Sequence, residues 1–238
     1  MKRATFSDWL RQALLFVGRG PAVWAGYCLF IGIILSVGRI SLALGVFFSV
    51  TCLFVGVGVA KYIDLKYSGD YSVRLYWAIN KSLPLAVIAA SCIVICWFVF
   101  MALSAIFSGE FYKIGRFFFY WELTPENLDN KSMWEVTRWI YAYANVTLIF
   151  VLLMLTTFAS WFSYPLMLFR NYSWSEAKEQ GDKAVAKNQK ALYTLLGFII
   201  VEALLCTGIT PLLTPVLYML VSTLMYISYK NVFMAMHY

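Results

Sequence analysis

"LLGFIIVEALLCTGITP", residues 195–211, is apolar on both sides of a single carboxylate, Glu202. Such a run is core in a soluble protein or a span in a bilayer, and the rest of the chain decides which. Of 238 residues, 62% are hydrophobic and 13% charged, with a mean hydropathy of +0.73. Soluble domains carry about 45–50% apolar and about 25% charged residues. One aqueous core of this size cannot bury such a surplus, so the solvent that suits these residues is lipid. The expected fold is all-α: a polytopic membrane helical bundle, one integral membrane domain over residues 1–238.

A span needs about 17–25 mostly apolar residues. Six stretches qualify: 21–37, 41–60, 83–107, 142–164, 191–209 and 211–229. Only "GRI" joins the first two, so they form a tight hairpin. "TGITP" joins the last two, with Thr210 expected to cap and Pro211 to open the helix, where a missing N–H costs nothing. Lys and Arg set the orientation. Fourteen fall on the side holding both termini, and five, including Arg39 and Arg138, on the other. Both termini are therefore expected in the cytoplasm. The net charge of +7 follows from this bias and from attraction to anionic lipid. No loop is long enough to fold as a basic surface, so nucleic acid is not an expected partner.

The five cysteines, Cys28, Cys52, Cys92, Cys96 and Cys206, lie in apolar runs and read as small buried residues rather than disulfides. The one histidine, His237, has no ligand cluster beside it, so no metal, haem or other cofactor is expected. "MKRATFSDWLRQALLFVGRG" is interrupted by Arg11 and Arg19 and is not expected to be a cleavable signal. Phe6, Trp9, Leu10, Ala13, Leu14 and Val17 share a face. The segment is either an interfacial amphipathic helix or a cytosolic extension of the first span.

The outer loop, 108–141, contains "FYKIGRFFFYW", with seven aromatics in eleven residues. Aromatic side chains favour the membrane–water boundary. Phe111, Tyr112, Phe117, Phe118, Phe119, Tyr120, Trp121 and Trp134 are an interfacial anchor or a docking surface for a partner. Ser132 with Glu135, and Ser173 with Glu176, fit capping boxes. The second opens a short helix in the 170–190 loop that leads into span five. In the 61–81 loop, "YSGDYS" is a turn before a half-apolar helix.

Inside the bilayer, small residues allow close helix packing. Cys28, Gly32 and Ser36 make one stripe, Cys52, Gly56 and Ala60 another, and the short hairpin predicts that they face each other. Glu202 is the one acidic residue within the six stretches. A mid-membrane charge costs about 2.5–3.5 kcal/mol on insertion scales. Its available partners are Asn145, Thr147, Thr156, Ser160 and Tyr218. Glu202 is a hydrogen-bonded clasp, a proton or cation relay, or a group reaching water at the outer edge. The first fits best, because no second in-membrane carboxylate or histidine continues a path.

The order of "WLRQALLFVGRGPAVW", "SWSEAKEQGDKAVAKNQKAL" and "YISYKNVF" resembles a broad family of uncharacterised bacterial inner-membrane proteins. Trp9–Leu10 and Pro21 with Trp24 fit its first-span pattern. Ser175, Ala177, Ala184 and Asn188 fall in its loop before span five, and Tyr226, Ser228, Tyr229, Lys230 and Phe233 match its tail. The resemblance covers most of the chain outside 108–141. It implies six helices in the bacterial inner membrane and no reaction.

Three functions fit unequally. A non-catalytic protein acting through protein–protein contacts fits the small-residue stripes and the aromatic loop. It would be an accessory or assembly subunit of an envelope complex, or an immunity protein, with a protein partner or a second copy of itself. A small proton-linked transporter or channel using Glu202 is the alternative. An intramembrane enzyme lacks a nucleophile–base pair, since Ser160, Ser163 and Tyr164 have no base nearby.

Overall fold

The computed structural model describes residues 5–69, 72–111, 114–115, 117–118 and 132–234. It is helical, with no strand among the described residues. In chain order the helices are α1 (Phe6–Val17), α2 (Pro21–Leu35, extended by a 3-10 turn to Arg39), α3 (Leu42–Tyr67), α4 (Leu75–Ser108) and α5 (Met133–Thr157). They continue with α6 (Ser163–Arg170), α7 (Trp174–Lys187), α8 (Gln189–Gly208) and α9 (Thr214–Tyr229), the last entered by a 3-10 turn at Pro211–Leu213 and closed by a π turn at Lys230–Met234. Six stretches built on α2, α3, α4, α5, α8 and α9 are long and apolar enough to cross a membrane.

The six expected spans are all present, with shifted ends. α3 continues past residue 60 to Tyr67, because Lys61, Asp64 and Lys66 are ordinary helix residues once their polar ends find partners or water. α4 starts at Leu75, so the half-apolar segment and span three form one helix of 34 residues, about 51 Å at 1.5 Å per residue. That exceeds the hydrocarbon core of about 30 Å. α5 starts at Met133 and ends at Thr157, well short of residue 164. Pro165 cannot donate to the carbonyl four residues back, and a continuous helix would lose that bond. The chain breaks at 158–162 instead and places Pro165 in the first turn of α6.

Both capping boxes form. Ser132 and Glu135 exchange hydrogen bonds at 3.2 and 3.1 Å, and Ser173 and Glu176 at 3.4 and 2.9 Å. Thr210 makes no side-chain cap bond, although Pro211 does open a helical turn.

α3 and α9 are the buried centre. α3 packs on α4, α9, α5 and α2, and α9 packs in turn on α1, α2 and α8. α1 is a separate helix, capped by Thr5, whose apolar face meets protein. Trp9 and Ala13 are buried, Phe16 packs on Tyr226 and Phe6 on Phe198. Leu14 and Leu15 face outward. α4 is an edge helix, and this corrects the reading of the cysteines. All five are free, but only Cys52 and Cys206 are buried, while Cys92 and Cys96 lie on the exposed side of α4.

Candidate functional site

Polar chemistry gathers at three levels of the bundle. At the end that holds α1, α6 and α7, Asp64 projects from α3 and is 6% exposed. Tyr226 and Lys230 reach it from one face of α9 and its closing turn, four residues apart. The Tyr226 hydroxyl donates to Asp64 Oδ2 at 2.6 Å, and Lys230 Nζ donates to both carboxylate oxygens at 2.8 Å. Neighbouring bonds fix the same turn. Arg170 Nη2 donates to the Phe233 carbonyl at 2.8 Å, Trp161 Nε1 to Ser228 Oγ at 2.9 Å, and Asn231 Nδ2 to Gln12 Oε1 at 2.8 Å. α1, α3, α6 and the end of α9 are thus tied at one place. The sequence reading missed this cluster because it ended span two at residue 60. The i, i+4 spacing of Tyr226 and Lys230 was the available signal.

At mid-height the centre is closed by close packing. A Cβ on Gly56 would strike Tyr27 Oη and the Ser222 side chain. Tyr27 Oη donates to the Cys52 carbonyl at 2.7 Å, and Ser222 Oγ sits 2.8 Å from both the Leu53 and Tyr218 carbonyls. Ala60 is fully buried on the same helix. The two small-residue stripes do not face each other. Cys28 lies against Pro215 and Met219 of α9, Gly32 against Tyr141 of α5, and the Ser36 hydroxyl turns back to the Ile33 carbonyl. α2 instead meets α3 with Tyr27, at Cys52 and Gly56, and with Leu35, beside Leu42, Gly45 and Ser49. Tyr27 of α2 fills the space beside Gly56 of α3.

At the opposite end Asn145, fully buried on α5, donates to Thr207 of α8 at 3.2 Å and to Thr214 of α9 at 3.1 Å. The interhelical clasp expected of Glu202 belongs to Asn145. Glu202 is half-buried on α8 among exposed Val201, Leu204 and Leu205, and forms no hydrogen bond among the described residues. Rotation of α8 about its axis turns Thr207 inward and leaves Glu202 at the side.

The aromatic loop divides. Phe117 is buried, packed on Phe98 and Phe118, and its carbonyl accepts from the Ala43 N–H at 3.0 Å, so it is core. Phe111, Phe118 and Trp134 are exposed. Tyr112, Phe119, Tyr120 and Trp121 lie outside the described residues, as does His237. Ser160, Ser163 and Tyr164 fall at the α5–α6 break. Tyr164 donates to the Ser82 carbonyl at 3.3 Å, and Ser160 packs against Gly181 of α7. Among the described residues no three His, Cys, Asp or Glu side chains group as a metal site.

Comparison with protein-family models, with curated proteins and with solved structures finds no match.

Proposed function

We propose that the chain is a non-catalytic, multi-pass protein of the bacterial inner (cytoplasmic) membrane, with both termini in the cytoplasm, that acts through protein–protein contacts. An accessory or assembly subunit of an envelope complex fits this description, as does an immunity protein. The carrying observation is the closed centre. Tyr27 and Ser222 occupy the space beside Gly56, where a transport path between α2, α3 and α9 would have to run. Beside it the Tyr218 hydroxyl donates to the Ala144 carbonyl and the Thr223 hydroxyl to the Met219 carbonyl. A bundle built this way does its work on its outside, where α4 leaves Ile95, Val99, Phe100 and Leu103 uncovered.

The test is affinity capture of the tagged chain in a mild detergent, with identification of what travels with it. A stoichiometric protein partner supports the reading. Capture of the chain alone, together with proton flux in reconstituted vesicles that Glu202→Gln abolishes, replaces it with the transporter.

A further inference from the structure

Two cavities follow one another along α4, the first between α3, α4 and α6 and the second between α4, α5 and α6 with Phe54 of α3 in its wall. The one nearer the Asp64 end has a volume of about 170 Å³ and is lined by Lys61 and Lys81 with Tyr62, Trp77 and Phe169 among its walls. The second, about 480 Å³, is lined almost wholly by apolar side chains, including Phe54, Leu85, Ala89, Leu155 and Met167. α3, α4 and α6 contribute to both, while α5 adds Val151, Met154 and Leu155 to the second, and the break after it Phe158 and Ala159. On α4 the lining passes from Lys81 to Leu85 and Ala89, on α3 from Lys61 to Phe54, and on α6 from Leu168 to Tyr164. Residues three or four apart share a helix face, and Lys81 and Leu85 are separated by about 6 Å of rise. Between them in sequence, Ser82 accepts the Tyr164 hydroxyl bond.

We propose that this pair of cavities binds one anionic phospholipid, its phosphate against Lys61 and Lys81 and an acyl chain in the apolar cavity. Charge selects the occupant. No acidic residue lines the first cavity among the described residues. Asp64, the carboxylate whose field reaches Lys61, is already bonded to Lys230 and Tyr226. One spoken-for carboxylate thus faces three ammonium groups, those of Lys61, Lys81 and Lys230. Neither Lys61 nor Lys81 has an ion-pair partner among the described residues, and Lys81 lies over the Trp77 ring at 5.4 Å. Lysines favour anionic headgroups, and Trp and Tyr favour the headgroup level. The second cavity falls within the about 300–1,000 Å³ usual for ligand sites, and its walls suit hydrocarbon. A free phosphate would satisfy the lysines and leave that space unused.

The inference rests on the multi-pass reading, and its test separates the two. The full chain in detergent is titrated with phosphatidylglycerol and with phosphatidylcholine of identical acyl chains, and bound lipid is counted by native mass spectrometry. We expect phosphatidylglycerol to bind at least about tenfold tighter. The double variant Lys61→Gln/Lys81→Gln should bring it down to the phosphatidylcholine level, and Ala89→Trp, which fills the apolar cavity, should weaken both lipids. Equal binding of the two lipids by the unaltered chain overturns the proposal whatever the variants do. So does full displacement by inorganic phosphate, or unchanged binding in Ala89→Trp. A chain that stays dissolved without detergent would instead sink the multi-pass reading itself.

Discussion

Tyr226 and Asp64, 162 residues apart in the chain, meet through a hydrogen bond of 2.6 Å that the Lys230 ammonium completes. The bond joins the two most buried helices, α3 and α9, at the level where α1 and α6 also dock. A buried carboxylate is costly unless paired and hydrogen-bonded, and here both conditions hold. The cluster is therefore a lock on helix arrangement.

Tyr226→Phe removes one hydrogen bond to a charged group and keeps the ring packed on Phe16 and Phe169. We expect a loss of about 1.5–3 kcal/mol. Lys230→Met should cost about as much, reduced from the about 3–5 kcal/mol of a fully buried pair because the Lys230 side chain is 40% exposed. Thermal unfolding in detergent measures both. A double variant that loses less than the sum of the two singles shows that they act on one carboxylate. Full additivity contradicts a shared lock.

Gly56 tests the closed centre. In Gly56→Ala the new methyl meets Tyr27 Oη and Ser222, and these positions are fixed by bonds to Cys52, Leu53 and Tyr218. Overpacking of this kind costs about 1–3 kcal/mol. Gly197, with open space beside it, is the control, and Gly197→Ala should leave the melting temperature unchanged or raised. A Gly56→Ala protein as stable as the parent would mean that the centre gives way, and would weaken the case against a path through it.

What was legible in the sequence was what hydropathy and local bonding decide. The six apolar stretches became six helices, and Ser132 and Ser173 closed their capping boxes, because each depends on neighbours within four residues. Rotation about a helix axis depends on distant partners. Cys28 and Gly32 share a stripe in sequence, yet it is Tyr27 that α2 brings against Gly56 of α3. Glu202 drew attention as the lone acid in an apolar run, while Asp64, four residues past the end assigned to span two, became the buried carboxylate. Polarity identifies a span's interruptions, and only packing says which of them point inward.

The polar clasp at the far end distinguishes Asn145 from Glu202. Asn145→Leu removes two bonds to Thr207 and Thr214 from a fully buried position. Interhelical hydrogen bonds between membrane helices are worth about 0.6 kcal/mol on average and up to about 1.7 kcal/mol, so a loss in that range is expected. Glu202→Gln should stay within about 0.5 kcal/mol of the parent. The reverse order of effects, read by the same unfolding measurement, would return the clasp to Glu202.

The cap of α7 responds to acid. Hydrogen bonds from the Ser173 hydroxyl and backbone N–H hold the Glu176 carboxyl below its usual range. A carboxyl with a depressed folded pKa contributes stability that is fully present above the unfolded value, about 4.3, and lost as pH falls through the folded value. The first turn of α7 should therefore hold at neutral pH and loosen only below the ordinary glutamate range. Trp174, exposed at the first position of α7, reports it through its fluorescence. In Ser173→Ala the Oγ bonds are lost and the transition should move to higher pH. Trp174 emission that ignores acid in the parent, or a transition unmoved in Ser173→Ala, would show that Glu176 does not hold the cap.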